Sequence, residues 1–407
     1  MYLMCIDVHV LSVIKASEEY ETIAEGMKGS LDKINSLLKD PHITINDEIY
    51  DVELFLCSDY KMILLLMGLK KASSQYACVW CKVDQKDRWD TGIEDTEYLV
   101  TNRRTLESLY EDYREKQYSC KHLPLVHIET DHIIPDELHL LLRITDILLK
   151  NFIATAVAHD KRLMKTRWKL KQGPMVRSVI LNIRRCGIPF DIWMKKNDDE
   201  SSDKSNYSYT SLVGYRKKNL LKFFPSKIPL CHPSTEVKRV AQLWIVSSKT
   251  IKLCVKGCNV CIIVEGFQRP LRFDIAKESA HSVRPTTPKG NRLLAKDWVD
   301  DYTDLRDVHC SYRPQYVTPY MHILTYHVPH LIRMYGNIKQ FSCQAVEKKN
   351  DICKSIYFKS SNKWDAPKDI VDHEQRVKKL KAFARRKRGY TWHKKTASPE
   401  SRQYQNL

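Results

Sequence analysis

Two pairs of metal-ligating side chains stand out in this sequence. Cys78-x-x-Cys81 lies within Tyr76-Ala-Cys-Val-Trp-Cys-Lys82, and His322-x-x-x-x-His327 lies within Thr318-Pro-Tyr-Met-His-Ile-Leu-Thr-Tyr-His-Val-Pro-His330. Two thiolates and two imidazoles make a closed tetrahedral set for Zn²⁺. A Cys pair two residues apart can place both sulfurs on one ion, as can a His pair at near-helical spacing; His330 is an alternative ligand. Because 241 positions separate Cys81 from His322, a shared ion would clamp the ends of a long insertion rather than fold a small finger. Two acids flank the pairs. Asp59 closes Leu54-Phe-Leu-Cys-Ser-Asp59, and Glu347 sits in Gln340-Phe-Ser-Cys-Gln-Ala-Val-Glu-Lys-Lys-Asn350. Carboxylate oxygens suit Mg²⁺, and paired ions can clamp the attacking and leaving oxygens of a phosphodiester exchange. On spacing alone, solvated acids compete with that reading, since the chain holds 49 acidic residues.

Other constellations are open to more than one reading. His127, Glu129, Asp131, His132, Asp136, Glu137 and His139 form a dense acid/His run. It reads as a metallohydrolase cluster or as a loop leading into a helix whose N-terminal dipole favours acids. Cys254, Cys258 and Cys261 are a second metal candidate without an obvious fourth ligand, or else buried thiols. Basic runs occupy 161–171 (Lys165, Arg167 and Lys169 among them), Arg216 to Lys218, and 378–395, where Phe383, Tyr390 and Trp392 interleave. Such runs fit phosphate contacts with occasional base stacking, and Arg385-Arg386-Lys387-Arg388 also fits a nuclear-localisation patch.

Stepping outward to the elements, Val8–Lys15 reads as a strand, and an amphipathic helix runs from Ser17 to about Lys39. Ile43–Ile45 and Ile49–Leu56 read as a hairpin or two short strands around Asn46-Asp47. Asp59 then stands at a strand's C-terminal end, the edge where sites form in open α/β sheets, ahead of a helix over Lys61–Lys71. A wide apolar stripe predicts a helix over Asp136–Thr155. Polar or Pro/Gly-bearing stretches predict loops at 197–206 and 282–291. Helices are expected from His322 and over Glu347–Phe358.

The 407 residues suffice for two or three domains, and an apolar fraction of 43% argues against wholesale disorder. A net charge of +18 favours a polyanionic partner, nucleic acid first. No apolar run approaches the roughly 20 residues that span a bilayer. The odd count of 13 cysteines reads as reduced thiols, in the cytosol or nucleus.

With these residues in hand, the chain resembles a known family. Cys-x-x-Cys after an acid, the distant Tyr-Met-His-x-x-x-x-His-Val-Pro, then Tyr-Gly-Asn-Ile and Val-Glu-Lys-Lys-Asn resemble the catalytic core of the recombination-activating protein 1 recombinase and the Transib transposases. Transposon-derived proteins of invertebrates and fungi are more similar still, through Asp87-Arg-Trp89, Pro135–His139, Val317–His322 and Asn362–Asp365. The resemblance spans roughly 8–375. It implies an α/β, RNase H-like core, partial here, interrupted by a large, mostly helical zinc-binding insertion. The implied layout is a partial core at 1–75, the insertion at 76–330, the final catalytic helix region at 331–370 and a basic tail at 371–407. It assigns Cys78, Cys81, His322 and His327 to structural zinc. It also assigns Asp59 and Glu347 to a DDE triad holding Mg²⁺ or Mn²⁺ for DNA nicking and strand transfer. Lys348, Lys349 and Lys354 would then lie near DNA phosphates. A nuclear, DNA-binding protein follows, a homodimer by analogy, with no membrane role.

The chain also departs from that pattern. The first triad acid would lie upstream of Val8, so the chain as given is expected to be catalytically incompetent. Cys57-Ser58 stands where relatives carry a glycine pair, and Cys343 and Ala345 replace glycines beside Glu347. The alternative reading is a domesticated, zinc-stabilised nucleic-acid-binding protein without catalysis.

Overall fold

The computed structural model describes residues 13, 17–92, 95–167, 169–195, 206–232, 235–255, 288–336 and 338–382. The strand expected at Val8–Lys15, the polar loop at 197–206 and the Arg385–Arg388 patch fall wholly or almost wholly outside them. The fold is mixed α/β and mostly helical, with few and short strands.

The chain opens with α1 (Tyr20–Gly26) and α2 (Lys28–Lys39). The single helix expected here is broken at Met27, which leaves helical geometry (φ −108, ψ 7) directly after Gly26. A tight hairpin follows, β1 (His42–Ile45) against β2 (Glu48–Asp51), its two-residue turn held by Asn46 and Asp47 at positive φ. Next come β3 (Leu56–Ser58) and α3 (Tyr60–Leu66). α3 stops short of the expected Lys71 because Gly68 turns the chain at φ +72; a Cβ there would lie 2.1 Å from the His122 carbonyl oxygen.

α4 (Asp95–Asn102) and α5 (Leu106–Arg114) precede β4 (Ile133–Pro135). β4 falls inside the stretch expected to be the insertion, yet it pairs in parallel with β3: Leu56 opposite Ile133, Cys57 opposite Ile134, Ser58 opposite Pro135. α6 (Glu137–Met164) is longer than its apolar stripe predicts and is the spine of the helical part, packing against α7 (Pro174–Arg184), α8 (Gly214–Phe223) and α9 (Val237–Val255). Between α7 and α8, β5 (Ile192–Met194) and β6 (Tyr207–Tyr209) form a small antiparallel pair. α10 (Pro288–Asp304) begins inside the expected 282–291 loop, with proline in the first helical position, where its missing N–H costs nothing.

The chain then enters α11 (Pro319–His322), a π turn (Ile323–His327) and α12 (Val328–Tyr335), followed by α13 (Gln344–Lys359) and α14 (Ala366–Ala382). Contacts divide the chain at Lys349/Asn350, within α13. The first unit contains one continuous apolar core, from Ile23 and Leu31 through Phe152, Trp244 and Trp298 to Ile338. In the second, Asp369 accepts hydrogen bonds from Ser361 and the Asn362 amide, closing the turn between α13 and α14. No helix among the described residues is long and apolar enough to cross a membrane.

Candidate metal centre and the acidic strand edge

The Cys78/Cys81 loop is built around a buried arginine. Arg104 has no exposed surface; its Nε donates to the carbonyls of Cys78 (2.9 Å) and Cys81 (3.1 Å), and Nη2 donates to Tyr118 (2.7 Å) and Tyr76 (3.3 Å). Nη1 pairs with the nearly buried Asp112 at 3.0 Å, which also receives Lys82 at 2.8 Å. A buried guanidinium is tolerated only when its charge and its fork of donors are both met, and here both are. Trp80 pins the loop's middle: its Nε1 donates to the Ile133 carbonyl of β4 at 2.9 Å, and its ring stacks on Tyr60 and His327. Nothing in the local sequence marks Arg104; only its position among carbonyls reveals its role.

The histidines reach the same point through a backbone irregularity. At 3.6 residues per turn, side chains five positions apart point about 140° away from each other. Here the Val328 amide donates to the Ile323 carbonyl, an i to i−5 bond, so the turn is a π turn and residues five apart share a face. Pro329 follows at once: it has no amide for the Thr325 carbonyl four residues back, and its ring would crowd that carbonyl in a regular α-helix. The expected near-helical spacing therefore works only because the helix is widened.

All four side chains are buried, and their ligand atoms lie within 4.8 Å of one another. Cys78 Sγ is 3.2 Å from His327 Nε2, Cys81 Sγ is 3.3 Å from His322 Nε2, and the two Nε2 atoms are 3.1 Å apart. A tetrahedral Zn²⁺ with ordinary bond lengths separates its donors by roughly 3.3–3.8 Å, so the set is close to a zinc cage. Burial opposes ionisation at Cys81, but Cys78 and both imidazoles overcome it and hold Cys81 well below the usual thiol range. Burial raises Cys78 and lowers His327, which favours neutral imidazole there. A cation bound among the four would favour both thiolates and leave the imidazoles neutral. Tyr98 Oη stands 3.1 Å from Cys81 Sγ and 3.4 Å from His322 Nε2, at the cage wall. The residues fit a metal such as zinc. His330 is not part of the cage; its Nε2 is 3.7 Å from Asp131.

Asp59 and Asp136 are the residues just past β3 and β4, side by side at the C-terminal edge of the parallel pair. Each caps the next helix: Asp59 accepts from the Met62 amide at 3.0 Å, Asp136 from the His139 amide at 3.0 Å. Asp136 is buried and also accepts from the Cys343 amide (2.9 Å) and His139 Nδ1 (2.6 Å). Burial works against its charge, but these bonds prevail and hold it below the usual carboxylate range. The Asp136 bond in turn raises His139, with smaller contributions from the charges of Asp136, Glu347 and Asp59. Glu347, in the first turn of α13 and half-exposed, comes within 3.8 Å of His139 Nε2. The charges of Asp59 and Glu347 thus both act on His139, which with Ser58, Tyr60, Asp136 and Tyr320 lines a small cleft. The two acids do not converge as ligands: among the described residues the Cys78/Cys81/His322/His327 set is the one group of three or more such donors that does.

The acid/His run also disperses. His127 donates its amide to Asn35, Asp131 pairs with Arg103, His132 pairs with Glu53, and Glu137 accepts from Gln344. Of the basic candidates, Lys165, Lys169 and Lys348 are exposed, Lys349 is half-exposed, and Lys354 pairs loosely with Asp351 at 3.7 Å. The Arg167 side chain lies outside the described residues. Lys217, inside a basic run, is buried and paired with Asp146 at 2.7 Å, so it serves the fold. Cys258 and Cys261 lie outside the described residues.

No protein-family model matches the sequence, and no curated protein matches it.

Proposed function

We propose that this chain is a zinc-clamped, RNase H-like core derived from a DDE transposase or recombinase, acting on DNA in the nucleus. The observation that carries the reading is the meeting of two motifs 241 residues apart in one buried Cys2His2 cage. Asp59 follows one strand of a parallel pair, and α13 carries Glu347 in its first turn. The charge of +18 supports a DNA partner. In the family this reading invokes, acids at these two positions would hold Mg²⁺ or Mn²⁺ for phosphodiester chemistry; here Asp59 and Glu347 do not converge as ligands, so the proposal assigns them no metal-dependent step. Asp136 orients His139 beside Glu347, and α13 carries Lys348 outward toward phosphates.

The second reading, DNA binding without chemistry, is favoured by a specific observation. Among the described residues no group of carboxylates converges on one point; the Cys78/Cys81/His322/His327 set is the one donor group of three or more. The proposal accordingly expects this chain to bind DNA and not to nick it. The test is duplex binding and nicking with Mg²⁺ or Mn²⁺, for wild type and Glu347→Gln, alongside zinc content for wild type and His327→Ala. Binding that weakens steeply with salt and is indifferent to Glu347→Gln identifies the binding module. Metal-dependent nicking abolished by Glu347→Gln identifies a working nuclease. Failure to hold one zinc per chain, or zinc unaffected by His327→Ala, overturns the family reading itself.

A further inference from the structure

Two cysteines that the zinc cage does not use face each other across the strand edge. Cys57 lies in β3, two positions before Asp59; Cys343 lies just ahead of α13, four positions before Glu347. Their sulfurs are 3.4 Å apart although 286 positions separate them. The Cys57 thiol also donates to the Phe341 carbonyl at 2.7 Å, so the strand and the incoming loop already adhere here. The Cys343 amide is held by Asp136 at 2.9 Å, which fixes the loop on the other side.

We propose that Cys57 and Cys343 are a disulfide-modification site, a redox latch that ties β3 to the entrance of α13. A disulfide bond is about 2.05 Å long, so closure needs a movement of about 1.4 Å, within the reach of side-chain rotation. With hydrogen peroxide as oxidant, one thiol gives up its proton and its sulfur attacks an oxygen; the S–O bond forms, the O–O bond breaks, and the expelled hydroxide takes that proton and leaves as water. The second sulfur then attacks the sulfenic sulfur, forming S–S and breaking S–O, and its proton leaves with the hydroxide as a second water. Two thiols lose two electrons and two protons in all, and a small-molecule thiol such as glutathione reverses the reaction by exchange. Cys57 is the less buried member and Cys343 is buried; the bond to Cys343 and burial push the Cys57 thiol well above the usual thiol range, so oxidation here is slow and calls for excess oxidant. The latch would join the strand that ends at Asp59 to the helix that carries Glu347. Its formation does not depend on those acids having a catalytic role.

The experiment uses the full chain loaded with zinc, which shields Cys78 and Cys81. It is treated with excess hydrogen peroxide, quenched, alkylated and digested for mass spectrometry without reductant. The expected result is a cross-linked peptide pair joining Cys57 to Cys343, faster migration on non-reducing gels that dithiothreitol reverses, and a melting temperature higher by roughly 5 °C. Cys57→Ser and Cys343→Ser should each abolish the cross-link and the stabilisation while retaining zinc. Alkylated or over-oxidised Cys57 and Cys343 in the zinc-loaded wild type, with no cross-link, would overturn the proposal. So would a mobility shift that persists in Cys57→Ser. Loss of zinc from the untreated protein would count against the metal reading instead, so the two failures are distinguishable.

Discussion

Arg104 shows how one side chain can hold a site it does not enter. It supplies donors to both cysteine carbonyls while Asp112 balances its charge. Arg104→Met leaves Asp112 buried without its arginine and several carbonyls bare, and should cost about 3–5 kcal/mol. Arg104→Lys keeps a charge but loses the fork, and should weaken zinc by about 10-fold or more against a competing chelator. Unchanged zinc affinity in both variants would mean the loop is shaped without it. A second residue-scale prediction concerns pH. His232, packed against Phe152, is lowered by burial from 6.5 to about 4. The folded state therefore keeps it neutral, whereas the unfolded chain takes up a proton below pH 6.5. Stability from this group is full above 6.5, falls as pH drops and levels off near 4, a loss of up to about 3 kcal/mol. Urea titrations of wild type and His232→Leu across that window should differ in slope; parallel slopes would refute the assignment.

At the scale of elements, the π turn decides whether two histidines make one site. Its i to i−5 bond and Pro329 act together, because proline removes the amide that would reach the Thr325 carbonyl in a regular α-helix and its ring crowds that carbonyl. Pro329→Ala restores that amide, so the turn should relax toward α geometry, splay His322 from His327 and lower zinc affinity about 10-fold. Equal affinity would show that the cage imposes the turn rather than the reverse. Local composition explains some element ends, such as the α3 stop near Gly68 and the start of α10 at Pro288. It does not reveal β4, whose three residues are too few for a periodic signal and become a strand by pairing with β3.

Over the whole molecule, the cage joins residues 249 positions apart, Cys78 and His327, inside one apolar core. Metal bound there stabilises the fold directly, because the unfolded chain has no such site. Stripping the metal with a strong chelator should lower the melting temperature and the cooperativity of the first unit, and zinc should restore both. An identical melt after verified metal removal would make the cage a thiol and imidazole core without a structural ion. The cage also explains how a long helical segment can leave and rejoin the same strand edge.

The sequence by itself determined the donor chemistry, the basic character, several helices and the acid at a strand end, because ligand type, charge and apolar periodicity are local properties. Only the tertiary structure decided which pairs meet. It brought Cys78 and Cys81 to His322 and His327, set Asp136 beside Asp59, placed His139 against Glu347, buried Arg104 and Lys217 as scaffold, and dispersed the His127–His139 run. It also put Cys57 against Cys343. Each of these contacts joins side chains distant in sequence or turns on the path of the backbone between them, and no local pattern encodes the geometry of that path.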